Sequence, residues 1–147
     1  DALPISGDAA PAGAFEIRKS TEKTSCVALF ENVREIEMQE GRKGWQWDEY
    51  TIPVTYRAEL EDRIRNDTAS WLSTAKEYEK KTLATQIREK RNELLAKCDF
   101  AVLQDAPTDK EVWSAYRQAL RDVPEQPGFP YTIEWPKWPG NAEGKEK

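Results

Sequence analysis

Hydrophobic and polar positions alternate in two runs between residues 33 and 54. In the first, VREIEMQ, Ile36 and Met38 share a face. EGRKG follows as a glycine-flanked turn, and WQWDEYTIPV then alternates again. Trp45 and Trp47 fall on one side of this second run, with Gln46, Asp48 and Tyr50 on the other. Period-two alternation across a glycine turn predicts a β-hairpin, within a hairpin region spanning 15–55. Pro53 has no N–H for a ladder, so it belongs at a sheet edge or a strand end. Two strands alone are marginal in water, and this hairpin must therefore pack on another element. Residues 15–30, FEIRKSTEKTSCVALF, fit either a helix capped near Ser20 or a strand entering the hairpin.

The next segment, 56–98, contains neither Gly nor Pro and is dense in Glu, Lys, Arg, Ala and Leu. That composition predicts one long helix, about 60 Å at 1.5 Å per residue. Leu60, Ile64, Trp71, Ala75 and Tyr78 form an apolar stripe, continued after a phase shift by Ile87, Leu94 and Leu95. The stripe either covers the hairpin and a C-terminal helix or forms a coiled-coil seam with a partner, making a homo-oligomer through the long helix.

DFAVLQDAP reads as an extended connector ending at Pro107, and TDKE, starting at Thr108, as a capping box closed by Glu111. The short helix that follows carries Val112, Trp113, Tyr116 and Leu120 on one face. It ends by Asp122, because Pro124 cannot continue it and biases Val123 away from helical angles. Six prolines or glycines from Pro124 to Pro139 then hold an extended tail that carries Phe129, Tyr131, Ile133, Trp135 and Trp138. The fold class expected is α+β: an N-terminal β-hairpin, a long central helix, a short C-terminal helix packed as a helical hairpin, and an extended Pro/Trp-rich tail. Residues 1–14 read as a disordered or artefactual leader, since DALPI is also the translation of GAC GCT CTT CCG ATC, the end of a short-read sequencing adapter. Residues 140–147 read as a disordered tail.

Of the 147 residues, 38% are hydrophobic and 33% charged, with a net charge of −5. An acidic chain has little with which to displace counterions from a phosphate backbone, so nucleic acid is not an expected partner. No apolar run reaches the roughly 20 residues that span a bilayer, so no membrane is expected either. The chain has no histidine, which excludes Ser-His-Asp and Cys-His catalysis and histidine-based metal sites. GxGxxG and GxxxxGKS/T are absent as well. Adjacent carboxylates such as Asp48 and Glu49 are solvated surface in most proteins, and the two cysteines, Cys26 and Cys98, make no CxxC pair. No enzyme activity, cofactor or metal is expected.

The C-terminal segment carries a long idiosyncratic pattern: RxxRNxLLxxCDF from Arg88 to Phe100, LQDAP from Leu103, WxxYRQALRDVPEQPGFP from Trp113 to Pro130, and IEWPKWP from Ile133 to Pro139. Over 87–139 this resembles the C-terminal domain of tailed-phage tail assembly chaperones. The shorter ending W..YR..L with IEWP..P is similar to tail fibre assembly proteins of temperate phages. The resemblance implies a helper in the host bacterial cytoplasm that binds a phage tail or tail fibre protein and promotes its folding or oligomerisation. The alternative is a structural tail or tail fibre-associated component of the virion. Phe129, Ile133 and Trp135 either fold back over the chain's own helices, closing a small core, or stay exposed as anchors for a partner. Large rings dominate protein interfaces, so the candidate partner-binding residues are Trp113, Tyr116, Arg117, Leu120, Phe129, Ile133, Trp135 and Trp138, joined by Trp45 and Trp47 of the hairpin.

Overall fold

The structure, a computed structural model, describes residues 4–140. All but Gly140 of the expected 140–147 tail, and residues 1–3 of the leader, lie outside the described residues. The fold is α+β, with four antiparallel strands, a long helix and a short C-terminal helix. The chain divides into two units, one ending at Lys81 and the other beginning at Thr82.

In the first unit the hairpin forms as its alternation predicts, but as the centre of a four-stranded sheet ordered β1-β4-β3-β2. Strand β3 (Thr24–Glu37) pairs with β4 (Lys43–Thr55) across a turn where Glu40 and Gly41 have φ of 65° and 72°. Strand β2 (Phe15–Lys19) flanks β3, which decides the ambiguous stretch in favour of strand. Strand β1 (Ile5–Gly7) lies inside the segment read as a disordered or artefactual leader, and it pairs with Trp45–Trp47 of β4. Gly7 makes that pairing fit, because a Cβ there would stand 3.1 Å from the Trp47 ring. Beyond those three rungs β4 has β3 on one side only, so Pro53 sits where the opposite flank needs no N–H donor.

Register explains which face is buried. Phe15, Leu29 and Tyr50 stand on one rung and Ile17, Val27 and Ile52 on another. These side chains close on Leu60, Ile64 and Ala75 of the helices, with Trp71 and Leu72 at the margin. A β-bulge opposes Asn32 and Val33 to Trp47 alone, between the pairs Glu31 with Asp48 and Arg34 with Gln46. Asn32 takes the left-handed conformation the bulge requires (φ 53°) and donates to the Asp48 carboxylate at 2.6 Å. The extra residue shifts the alternation by one, so Ile36, opposite Gly44, stays on the same face as Val27 and Leu29. Trp45 and Trp47 point to the other face, half-buried, away from the side that packs on the helices.

The single helix expected over 56–98 is two. Helix α1 (Leu60–Asn66) stops at Asp67, whose φ of −147° lies outside the helical region, and α2 runs from Thr68 to Lys97. Asn66-Asp67-Thr68 is a run of poor helix formers whose side chains compete for backbone partners. Asp67 accepts from the Ser70 N–H at 3.3 Å, and Thr68 donates to the Ile64 carbonyl at 2.9 Å. The Asp and Thr that looked like interior helix residues therefore act as a stop and a restart. Of the expected stripe, Leu60, Ile64 and Ala75 are buried, whereas Tyr78 is exposed.

Candidate partner-binding site

The second unit is built on the C-terminal end of α2 and on α3 (Lys110–Asp122). The stretch expected to be an extended connector instead turns at once into a compact 3-10 turn, Asp99–Val102, which buries Ala101. The cap of α3 also differs from expectation by one residue. Asp109, not Thr108, is the N-cap, accepting from the Glu111 N–H at 3.1 Å and the Val112 N–H at 3.2 Å. Thr108 donates to the Ala101 carbonyl, and the Lys110 ammonium bonds Thr108 Oγ1 at 3.1 Å and the Ala106 carbonyl at 2.8 Å. A carboxylate one position on accepts from two N–H groups and complements the helix dipole, which leaves the hydroxyl free for the turn.

Helical spacing places Trp113, Tyr116 and Leu120 on one buried face, where they join Cys98 and Ala101. Leu94, Leu95 and Trp135 pack against this cluster. Val112, expected on the same face, is 48% exposed. Arg117 ties α3 to the end of α2: its guanidinium donates to the Leu95 carbonyl at 2.8 Å, lies 3.2 Å from Cys98 Sγ and pairs with Asp99 at 2.7 Å. The last carbonyls of a helix lack intrahelical donors, and a cation meets both that need and the dipole. Burial opposes the Arg117 charge, yet the Cys98 and Asp99 contacts hold its pKa above the ordinary value. Burial likewise pushes the Tyr116 phenol up.

Helix α3 ends at Asp122, as Pro124 requires. Val123 nevertheless keeps helical angles (φ −49°, ψ −43°), because a 3-10 turn, Val123–Glu125, takes Pro124 into its first turn. The chain then folds back at Gly128, whose carbonyl accepts from Tyr131 and Thr132, both at 2.8 Å. A Cβ at Gly128 would lie 2.5 Å from the Thr132 carbonyl oxygen, so only glycine fits this approach. From Ile133 to Pro139 no regular structure forms. Gln126 holds the start of this stretch: its amide donates to the Glu134 carbonyl at 2.8 Å and accepts from the Glu134 N–H at 2.9 Å.

Aromatic residues of this tail rest on the helices. Arg88 lies 5.2 Å from the Phe129 ring centre and Lys90 lies 4.6 Å from that of Trp135, both cation–π contacts. Trp138 stands edge-on to Trp113 at 4.9 Å and to Tyr116 at 5.6 Å. Phe100 approaches the same Trp113 ring at 5.8 Å. Ile133 is half-buried. The structure thus gathers eight of the candidate residues into one unit, while Trp45 and Trp47 belong to the other. Within the eight, Trp113, Tyr116 and Leu120 are buried and Trp138 is 43% exposed. Sequence reasoning missed Phe100, 51% exposed, and Leu103, 56% exposed. The apolar run FAVL inside a supposed connector was the signal for them.

Rings, apolar side chains and cations turned toward solvent are the equipment of a protein-binding module. Residues 84–140 match the family model of the phage tail assembly chaperone protein, 57 of the 147 residues. The match falls on the segment whose motifs resemble the same family, and that family is not one of enzymes. No curated protein matches the chain, and no solved structure does. Among the described residues no helix is long and apolar enough to cross a membrane.

Proposed function

We propose that the chain is a chaperone of phage tail assembly that binds a tail or tail fibre polypeptide through its C-terminal unit, in the host cytoplasm, and promotes that polypeptide's folding or oligomerisation. The observation that carries this reading is the coincidence of two boundaries: the family match over 84–140 and the unit from Thr82 that holds the aromatic cluster. Phe100, Leu103, Val112 and Trp138 expose apolar surface, and Phe100 and Trp138 stand against the buried Trp113. Such surface suits an apolar strand of an incompletely assembled partner, and the sheet-bearing first unit lies outside the family match and is free to add contacts particular to one partner.

The experiment is co-expression with a phage tail fibre gene, reading soluble fibre and its oligomeric state by light scattering with and without this chain. Soluble, assembled fibre only in the presence of the chain, and particles that lack the chain, are the expected results. Fibre that assembles equally well alone overturns the chaperone reading, and the chain at fixed stoichiometry in purified particles makes it a virion component.

A further inference from the structure

Helix hydrogen bonds, caps and buried side chains hold most of the second unit, whereas the stretch 133–139 forms no helix or strand. Its backbone is anchored by the side chain of Gln126 at Glu134, and two of its rings rest on the helices. Trp135 packs on the buried cluster, as Leu94 and Leu95 do, with Lys90 over its face, and Trp138 lies edge-on to Trp113 and Tyr116. Between the two tryptophans stand Pro136 and Lys137, and Pro139 follows. This is the arrangement by which an extended, proline-stiffened peptide docks on an aromatic-lined groove: little ordering entropy is lost, and rings supply the anchors. Here ligand and groove are parts of one chain. Trp138 is 43% exposed although it touches two rings, whereas Trp113 beneath it is 7% exposed. Removing the ring would therefore uncover apolar surface, while the buried face of α3, with Leu120, would stay on Cys98 and Ala101.

We infer that the strip formed by Lys90, Leu94, Leu95, Trp113 and Tyr116 is a binding groove for an extended peptide bearing aromatic and proline residues, occupied in cis by the chain's own Ile133–Pro139 segment. The segment acts as a resident ligand. It shields the groove until a polypeptide of the same chemistry displaces it, and it withholds the groove from weaker competitors. That the displacing polypeptide is a phage tail protein rests on the function proposed above; the groove and its resident do not.

A tether of a few residues gives a resident ligand an effective concentration on the order of millimolar. A free peptide of the same sequence must compete against that. The probe is a fluorescein-labelled peptide IEWPKWPG, followed by anisotropy against the full chain and against the full chain carrying Trp135→Ala and Trp138→Ala. The double variant is expected to take up the peptide at least about tenfold more tightly than the parent, given a resident at millimolar effective concentration. A peptide with both tryptophans replaced by alanine should bind neither protein. Equal binding to parent and variant, or binding to neither, overturns the inference. Should the double variant lose cooperative thermal unfolding, Gln126→Ala combined with Trp138→Ala replaces it: this pair releases the clamp and one ring and leaves Trp135 on the cluster, and the same tenfold gain is required. A variant that takes up the peptide while the tail fibre protein binds neither form keeps the groove and removes the proposed partner.

Discussion

Glu79 shows how a single side chain can be placed at a cost. One of its carboxylate oxygens is buried with no hydrogen-bond partner, and desolvation raises its pKa from the ordinary 4.5. The nearby Tyr50 phenol, pushed up to about 12 by burial first and then by Glu31, Asp48 and Glu79, marks the same acidic, partly dry environment. Where a folded carboxyl has the higher pKa, the unfolded state releases its proton first. Stability is then unaffected well below the ordinary value and declines as pH rises through it toward the folded value. Glu79→Gln removes the charge and keeps the shape. The variant should melt above the parent at pH 7, with the gap closing toward pH 4 where both side chains are neutral, as thermal unfolding monitored by circular dichroism would read. A gap that stays constant with pH shows that the charge is not what the site resists.

Elements were legible where one physical signal dominated. The hairpin emerged from alternation and a glycine turn, and the end of α3 from a proline, because both signals are local. Strand β1 was not, since it depends on Trp45–Trp47 far along the chain and on Gly7 accepting the Trp47 ring, and β2, though it pairs with the very next strand, stayed open between helix and strand. The bulge at Asn32 broke the two-residue period that would have linked residues 15–30 to the hairpin. The break at Asp67 was hidden by an absence of Gly and Pro, although Asn-Asp-Thr is cap chemistry when read for side-chain competition. The cap of α3 failed for a similar reason, two candidates standing side by side. Asp109→Ala should cost about 1 kcal/mol, the usual worth of an N-cap, and Glu111→Ala close to nothing, measured by urea denaturation. The reverse order would restore the capping box. In the candidate site, the rings on α3 were legible from helical spacing. The exposure of Phe100 and Leu103 was not, because it follows from a compact 3-10 turn in a segment that sequence presents as a connector.

For the whole molecule, the division of labour lies in which residues hold the second unit together and which face outward. Trp113→Ala removes a buried ring and should lower stability by about 3–5 kcal/mol, so its effect on any partner would be confounded with unfolding. Leu103→Ser changes a side chain that is already 56% exposed. Its melting temperature should stay within about 2 °C of the parent, since surface substitutions away from caps and cores change stability by about 0.5 kcal/mol or less. Recovery of soluble tail fibre in co-expression should nevertheless fall; unchanged recovery would move the contact elsewhere on the chain. The pairing of Trp113 with Trp138, 4.9 Å apart with planes at 85°, has an optical corollary. Two indoles so close share their electronic excitation, and a fixed oblique geometry turns that sharing into a circular dichroism couplet in the indole band. The couplet exists while the last tryptophan is seated and vanishes when it lifts away. The chain thus carries a built-in, label-free signal of its own open and closed states.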